Sequence, residues 1–414
     1  MYALFAIPFL LLIGCDTLPT HPNNDVHTMH ADMIEQHQSR LYSTIDSNPP
    51  YFSEQEYPDE QRLSYLIADE AMYTVDRTHD ENHSIASRDA HPKEHGCIQA
   101  EFHTYQHLDP NLAKGVFAKG QAYEALIRFS NSSENPNGND HDNDARGMAI
   151  KLTNRLQANK EKTRNEIRSM NQDFVMINHP VFILDDPSDY LSLVQAQNSP
   201  SALSTLFKIP FALGFRGMWN AYHTINQDQV MNPLQTQYYS MVPYRLGKKE
   251  DIQRRAIKFS VRPTPEQVEQ VSGLALSCSK VETAEPDKND NNYLRTALFK
   301  TLEKGDVCME FLIQEGKENV NVENSQVEWD SPFTPVALIK IPRMNPEEED
   351  FDGRKNIEKS CEDESFDPWH ARDEHRPLGV VNRLRKVIYP IVSDYRHCLN
   401  EPGRGECPGH IDIE

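Results

Sequence analysis

Two hydrophobic periods divide the chain. Between Glu60 and Val75 the apolar residues recur every three or four positions, which predicts a helix. From His95 onward the period shortens, and eight short segments rich in branched and aromatic residues predict strands. These segments are approximately 96–105, 122–130, 146–153, 173–179, 237–245, 255–262, 307–315 and 335–342. Eight strands of this length suit a closed antiparallel β-barrel, so the pattern predicts an α+β fold.

Helical segments are expected between some of the strands. Residues 187–226 are mostly apolar and predict helix, with breaks at Pro200 and Pro210. Residues 291–304 predict a second inserted helix. We therefore expect a barrel whose loops are extended by helices.

The end of the chain predicts one more helix. Residues 345–375 are acidic and typical of a loop. The segment Leu378–Leu399 then returns to helical periodicity. Its apolar residues that fall on one face are Val380, Leu384, Val387, Ile388 and Ile391.

The first residues predict export. Residues 3–13 form an apolar run that is too short to span a bilayer as a helix and is typical of a secretory signal. A small residue precedes Cys15, which resembles a bacterial lipoprotein processing site; a plain signal peptide is the alternative. Residues 16–58 are polar and predict a tether. The expected organisation is then a folded domain over 59–400 and a tail over 401–414, in a periplasmic protein held to a membrane by a lipid at Cys15.

Charge and cysteine content narrow the function. The formal net charge is −21 and the sequence pI is about 5.2, which disfavours nucleic acid and anionic lipid surfaces as partners. Six cysteines remain when Cys15 is set aside, and six allow fifteen pairings. Cys398 and Cys407 are the simplest local pair, but the sequence leaves the pairing and the oligomeric state open.

One pair of residues in the final helix suggests an iron ligand. Arg385 and Tyr389 are four residues apart and therefore share a helix face. A guanidinium beside a phenol favours the phenolate, and tyrosinate is a known axial ligand of haem iron. An ordinary helix surface explains the same spacing, so the pair alone does not decide.

Two further clusters carry candidate chemistry. In the first, His91 follows Arg88 by three residues, and a histidine can move a proton near neutral pH. In the second, Arg128 lies within an apolar strand and requires an anionic partner, either a haem propionate or a structural carboxylate. Ser130 falls on the same strand face as Arg128 and is a candidate to orient a histidine ring.

The order of these clusters resembles the haem catalases, and most closely their small catalase-related peroxidase branch. The segments DAHPKEHGCIQAEF (89–102) and PWHARDEHRPLGVVNRLRKVIYP (368–390) carry the resemblance. It extends over about residues 60–400. It implies a barrel with helical insertions, a C-terminal helix on the proximal side of the haem, and haem b (iron protoporphyrin IX) as cofactor.

The resemblance also assigns roles. His91 corresponds to the distal histidine and Ser130 to the serine that supports it. Tyr389 corresponds to the proximal iron ligand and Arg385 to the arginine beside it. The residues that would contact the rest of the haem are Arg88, Arg128 and Arg396 at the propionates, Phe182 at the distal face, and Tyr190 where the family often has an aromatic residue.

The sequence departs from the family at two points. The distal asparagine that helps hold peroxide is replaced by Ile177, and its neighbour Asn178 is expected to point to the opposite face of the strand. Efficient disproportionation of peroxide is therefore not expected. Only a short segment follows Tyr389, so the terminal helical domain of full catalases, and with it a nucleotide-binding role, is also not expected.

Three hypotheses follow from the resemblance. The first is a haem peroxidase that uses hydrogen peroxide or organic hydroperoxides and an unidentified electron donor. The second is a haem-dependent isomerase of lipid hydroperoxides. The third is a non-catalytic haem-binding protein of the cell envelope.

Overall fold

The structure is a computed structural model. It describes the residues 52–79, 85–132, 135–155, 172–199, 202–264, 278, 281, 287–344, 361, 364–401 and 407. The predicted signal, most of the predicted tether and most of the predicted tail lie outside these residues. The described part begins with buried Phe52 and Glu54, so the packed chain starts before residue 59, the boundary that composition predicts.

A closed antiparallel β-barrel forms the centre of the molecule. Its strands are β1 Glu94–Thr104, β2 Ala122–Asn131, β3 Arg146–Arg155, β4 Gln172–Ile177, β5 Tyr238–Tyr239, β6 Tyr244–Leu246, β7 Arg255–Pro263, β8 Val307–Glu315 and β9 Phe333–Ile341. Hydrogen bonds link them in the order β5-β4-β3-β2-β1-β9-β8-β7-β6, and β5 closes the ring by also pairing with β7. The predicted barrel is confirmed.

The fifth predicted strand, 237–245, is interrupted. Strands β5 and β6 both pair with β7 and together occupy one position in an eight-stranded barrel. Between them Met241 has φ 61°, a left-handed conformation that lies outside regular strand geometry. The apolar pattern alone does not show this break, because Met241 and Val242 are both buried as strand residues would be.

Alternation along the strands separates an inner and an outer face. The inner face is filled by large apolar side chains that are at most 1% exposed, including Phe102, Ile127, Phe129, Met148, Ile150 and Phe174. Neighbours of these residues, such as Arg128 and Ser130, must point outward, because successive side chains alternate across a strand. Polar candidates on β2 therefore lie outside the barrel.

Five α-helices occur in the described residues: α1 Glu60–Thr78, α2 Pro187–Gln197, α3 Ala202–Ile225, α4 Tyr293–Leu302 and α5 Val380–Asn400. Each falls within a predicted helical segment apart from small differences at its ends. The predicted break at Pro210 is wrong. Pro210 lies within α3, and the backbone leaves helical geometry at Gly214 (φ 58°, ψ −174°), a conformation that glycine tolerates.

Helix α5 packs against α1 on one side of the barrel. The apolar face predicted for α5 is buried, with Leu384, Val387 and Ile391 contacting the α1 residues Ile67 and Met72 in one cluster. None of the described helices is long and apolar enough to cross a membrane.

A buried ionic network fixes the start of α5. The Arg383 guanidinium donates to Glu60 Oε1 at 2.7 Å, Glu54 Oε1 at 3.1 Å and Glu323 Oε1 at 3.0 Å. Its Nη2 also donates to the Gln55 carbonyl at 2.8 Å. Two segments that are distant in sequence from α5, residues 54–60 and the loop at Glu323, are therefore held to one side chain near the start of the helix.

The six cysteines form three disulfides: Cys97–Cys361, Cys278–Cys308 and Cys398–Cys407. Cys398–Cys407, the simplest local pair in the sequence, is one of them. The bond from Cys97 in β1 to Cys361 connects the barrel to the segment that precedes α5.

Candidate active site

His91 is held tightly just before β1. It adopts φ 59°, which is unusual for a residue with a Cβ. The Arg88 guanidinium stabilises this turn by donating to the His91 carbonyl, from Nε at 3.1 Å and from Nη2 at 2.8 Å. His91 Nδ1 lies 3.1 Å from Ser130 Oγ. The structure thus brings together three residues that the sequence singled out.

A row of residues on the outer face of the barrel forms the floor under His91. Ser130 on β2 pairs with Gly147 on β3, and Gly147 pairs with Ile177 on β4. Residues directly opposite each other in antiparallel strands share a face. Ile177 is therefore on the His91 side, as expected. Asn178 accepts a hydrogen bond from the Arg146 backbone N–H through Oδ1 at 2.7 Å.

Gly147 was not recognised as a site residue from the sequence. A Cβ at this position would lie 2.6 Å from His91 Nδ1 and 2.6 Å from Ser130 Oγ. The absence of a side chain is what allows the imidazole to approach the strand this closely. A glycine inside a predicted strand is the sequence signal, because it commonly marks a close approach by another group.

The electrostatic environment keeps His91 neutral. Burial lowers its pKa to about 4, and the nearby positive charges of Arg88, Arg128 and Arg385 act in the same direction. At neutral pH the ring therefore carries one N–H and one free nitrogen lone pair, and it can accept a proton.

Arg128 extends from the same outer face of β2. Its Nη1 donates to the Glu364 carbonyl at 3.2 Å, and its guanidinium lies 4.4 Å from the centre of the Phe366 ring. The segment that begins at Glu364 therefore covers Arg128. These contacts hold the arginine between the barrel and the segment that leads into α5.

Helix α5 presents the second half of the site. Arg385 and Tyr389 are one turn apart, and the Arg385 guanidinium lies 5.5 Å from the centre of the Phe182 ring. Burial raises the pKa of Tyr389, Arg385 lowers it, and the carboxylates of Asp89 and Asp367 raise it further. The arginine acts in the predicted direction, but by itself it does not hold the phenol ionised.

The two halves face a common region. Arg128 and Arg385 both act electrostatically on His91 and on Tyr389, so all four residues lie within range of one another. Phe182 is also in this region and meets Tyr190 with ring centres 5.9 Å apart. Residues that are separated by about 300 positions in sequence are therefore assembled between the outer barrel face and α5.

Arg396 is not brought into a described contact with this group. It is buried in α5, seven residues after Tyr389, and its Nη2 lies 3.0 Å from His397 Nε2.

Asp367 was missed by the sequence reasoning. Burial raises its pKa to about 6, and it acts on Tyr389. Its position in an acidic loop gave no signal of burial.

The residues fit a haem in their chemistry. Arg385 Nη1 is buried and has no hydrogen-bond partner among the described residues, which suits a site where an anion or a planar group adds to the protein. A phenol, a neutral histidine and several arginines are the donor set that the sequence resemblance implies.

Comparisons with known proteins agree with this architecture. A family model described as Catalase matches residues 44–315. Among the solved structures, a fungal catalase is 18% identical with a TM-score of 0.56, covering 76% of this chain and 60% of its own length. Catalase A from Saccharomyces cerevisiae gives 18% identity and a TM-score of 0.56, with 76% and 62% covered.

A bacterial catalase is 16% identical with a TM-score of 0.50, covering 78% of this chain and 62% of its own. The chain therefore spans about 60% of the length of these structures. No curated protein sequence matches. The family match includes His91, Ser130 and Arg128 and ends before Tyr389, whose place in the site rests on the geometry. The matched segment covers more than half of the sequence, and the chain belongs to the catalase family.

Proposed function

We propose that this protein is a haem-dependent peroxidase that acts on hydrogen peroxide or organic hydroperoxides. The observation that carries the proposal is the neutral His91, hydrogen-bonded to Ser130 and sharing its arginine neighbours with Tyr389. A proton carrier can serve peroxide cleavage at a haem, and a tyrosine is the axial iron ligand of catalase.

Five residues would hold the haem in addition to its iron ligand. Tyr389 would bind the iron, and Arg385 would lie beside the phenolate. The residues that would contact the propionates and the distal face are Arg88, Arg128, Arg396 and Phe182. When bound, the haem supplies the redox chemistry that cleaves the peroxide O–O bond, while the protein supplies orientation and electrostatics.

His91 would carry the proton. Its Nδ1 is engaged by Ser130, so Nε2 is the nitrogen available to a substrate. With a pKa of about 4 the ring is neutral at pH 7 and can take the proton from one oxygen of the peroxide. It can then give that proton to the other oxygen, which leaves as water or, from an organic hydroperoxide, as an alcohol. The Arg88 contacts to the His91 carbonyl keep the ring in position for both steps.

Ile177 favours a peroxidase over a true catalase. It lies in the floor row with Ser130 and Gly147, where the family has an asparagine. An isoleucine removes a hydrogen bond to peroxide and adds apolar volume, which favours a less polar substrate or donor. The same observation supports a second candidate, the isomerisation of lipid hydroperoxides. Rearranged epoxide or ketone products would favour that reaction, whereas a requirement for an external donor would favour the peroxidase.

The proposed location is the bacterial cell envelope. The apolar run before Cys15 supports export and lipid attachment. Three disulfides support an oxidising compartment, because such bonds rarely persist in the cytosol.

Replacement of His91 tests the proposal. In the haem-loaded protein, His91→Ala should reduce peroxide-dependent oxidation of a phenolic donor by about 10²- to 10⁴-fold, because a positioned proton carrier contributes that much. The matched control is His107→Ala, which removes an exposed histidine in the turn after β1. Unchanged turnover in His91→Ala would contradict the role. Haem uptake with negligible turnover of any peroxide in the wild type would instead support a non-catalytic haem-binding protein.

A further inference from the structure

Helix α3 carries an exposed aromatic stripe. Phe211 is 92% exposed, Phe215 89%, Trp219 59% and Tyr222 45%. Phe215, Trp219 and Tyr222 follow the interruption at Gly214 at spacings of four and three residues, which places them along one side of that part of the helix. Phe211 is exposed just before the interruption. The stripe is unusual, because large aromatic side chains are ordinarily buried and a continuous exposed patch marks an interaction surface.

The opposite side of α3 is already satisfied by the protein. Ala212, Leu213 and Ala221 are buried against Leu184 and Leu193. The helix is therefore anchored to α2 by its inner face, and the aromatic stripe is directed away from the domain. Nothing in the packing of the described residues requires aromatic side chains on the outer face.

The charge of α3 differs from that of the whole chain. The formal net charge is −21, yet the 24 residues of α3 contain no Asp or Glu. Lys208 and Arg216 are both exposed on this helix. Arg216 also acts on Asp185 in the loop before α2, so the positive charge is partly offset. The surface is thus mainly apolar, with a weak preference for anions.

The size and composition of the stripe favour a lipid surface over a second copy of the chain. Scaled by their exposure, the four aromatic residues present roughly 600 Å². A stable protein interface buries about 800 Å² on each partner. A single helix with Phe, Trp and Tyr on one side and basic residues nearby is instead the pattern of a helix that lies in a membrane interface.

We propose that α3 docks on a lipid bilayer, inserting Phe211, Phe215 and Trp219 at the headgroup boundary. The contact rests on α3 alone and does not depend on an anchor at Cys15 or on the proposed function. It orients the domain so that the α3 side faces the membrane. The same helix holds the backbone at Phe182, because Asn220 Nδ2 donates to the Phe182 carbonyl at 3.4 Å.

Trp219 is a built-in reporter for this contact. The chain has three tryptophans, at 219, 329 and 369, and the first residues of the chain contain none. The full chain carrying Cys15→Ser should be mixed with vesicles of phosphatidylcholine and phosphatidylglycerol that carry brominated acyl chains. We expect a blue shift and quenching of the emission, both lost in Trp219→Phe.

Substitutions outside the reporter measure the strength of the contact. Phe211→Ser and Phe215→Ser should each weaken vesicle partitioning by roughly tenfold or more, since each removes one buried aromatic side chain. Both residues are exposed, so the thermal unfolding midpoint should not change. Ile252→Ser is the matched control, because Ile252 is 77% exposed and belongs to the loop between β6 and β7 rather than to α3, and it should leave partitioning unchanged.

Three results would overturn the proposal. Vesicle binding without quenching of Trp219 would assign the binding to the N-terminal apolar run. A Trp219 shift that depends on protein concentration without lipid would make a second copy the occupant. A lipid-free emission that is already shielded, and becomes exposed when residues 1–15 are removed, would place the chain's own N-terminus on the stripe.

Discussion

Replacing Gly147 with alanine should disrupt the His91–Ser130 pair without unfolding the barrel. The added Cβ would lie 2.6 Å from His91 Nδ1, 2.9 Å from His91 Cε1 and 2.6 Å from Ser130 Oγ. Carbon contacts are favourable at about 3.5 Å or more, so the neighbours must retreat by roughly 0.9 Å. The histidine has little freedom to move, since Arg88 fixes its carbonyl and its φ is positive.

Two magnitudes follow from this displacement. Overpacking of this kind costs about 1–3 kcal/mol in the free energy of unfolding, which a domain of this size tolerates. A shift of about 1 Å in a catalytic group can reduce turnover by about 10²-fold. Activity should therefore fall much further than stability. The residues that follow Gly147 in β3 pair with β2 and β4 in continuous register, so the barrel itself should remain intact.

The assay compares turnover and thermal unfolding in the haem-loaded protein. Gly147→Ala should lose about 10²-fold in peroxide-dependent donor oxidation and keep a cooperative unfolding transition. Ser130→Ala removes Oγ and so relieves one of the close contacts. The double variant Gly147→Ala/Ser130→Ala should therefore lose less free energy of unfolding than the sum of the losses in the two single variants. Wild-type turnover in Gly147→Ala, or strictly additive stabilities, would refute the reasoning.

Three further predictions concern stability. Replacing Cys97 and Cys361 by serine removes a link across 264 residues and should lower the free energy of unfolding by up to about 5 kcal/mol, measured by chemical denaturation; no loss would show that the bond does not constrain the chain. Arg383→Met should destabilise the protein by about 3–5 kcal/mol, because three carboxylates lose their buried partner; an unchanged unfolding midpoint would contradict this. Burial lowers the pKa of His95 to about 4 and of His375 to about 3. The unfolded chain takes up these protons as pH falls below about 6.5 and the folded protein does not. The free energy of unfolding should therefore have its highest value above about pH 6.5, as far as these two histidines are concerned, and decrease as the pH falls to 4. Denaturation at several pH values checks it, and equal stability at pH 7 and 4.5 would refute it.

The strands of the barrel could be predicted because each carries a strong local signal. Segments such as Ala122–Asn131 combine branched and aromatic residues with alternation, and alternation follows directly from one buried face. The break at Met241 could not be predicted in this way. Its cause is the closure of the barrel, where β5 must pair with β4 and β7, and closure is a property of the whole sheet.

Helix ends and kinks were predicted less well than helix positions. Proline at 210 suggested a break because it lacks an N–H, but a helix can accommodate one missing bond when its inner face is packed. The real interruption at Gly214 depends on a positive φ that the sequence permits without requiring. Local propensity therefore located α3 and did not locate its kink.

Contacts over long sequence distances account for the remaining differences in the site. His91, Ser130 and Tyr389 were candidates by residue type and spacing, and the resemblance gave them their roles. The structure brings His91 to Ser130, and Arg128 and Arg385 act on both His91 and Tyr389. Gly147 and Asp367 were not predicted, because each matters through groups that only the folded chain brings near it. These groups are His91 and Ser130 for Gly147, and Tyr389 for Asp367. Arg396 was chosen by resemblance, and its described contact is to His397.

An absorption spectrum of the haem-loaded protein tests the central claim most directly, namely that Tyr389 binds haem iron opposite His91. Wild type, Tyr389→Phe and the control Tyr395→Phe should be compared; Tyr395 lies in the same helix but donates to Asp76 at 2.6 Å. We expect a ferric high-spin, tyrosinate-type spectrum in the wild type and in Tyr395→Phe, and its loss or change in Tyr389→Phe. A protein that takes up no haem, or a spectrum indifferent to Tyr389, would contradict the account.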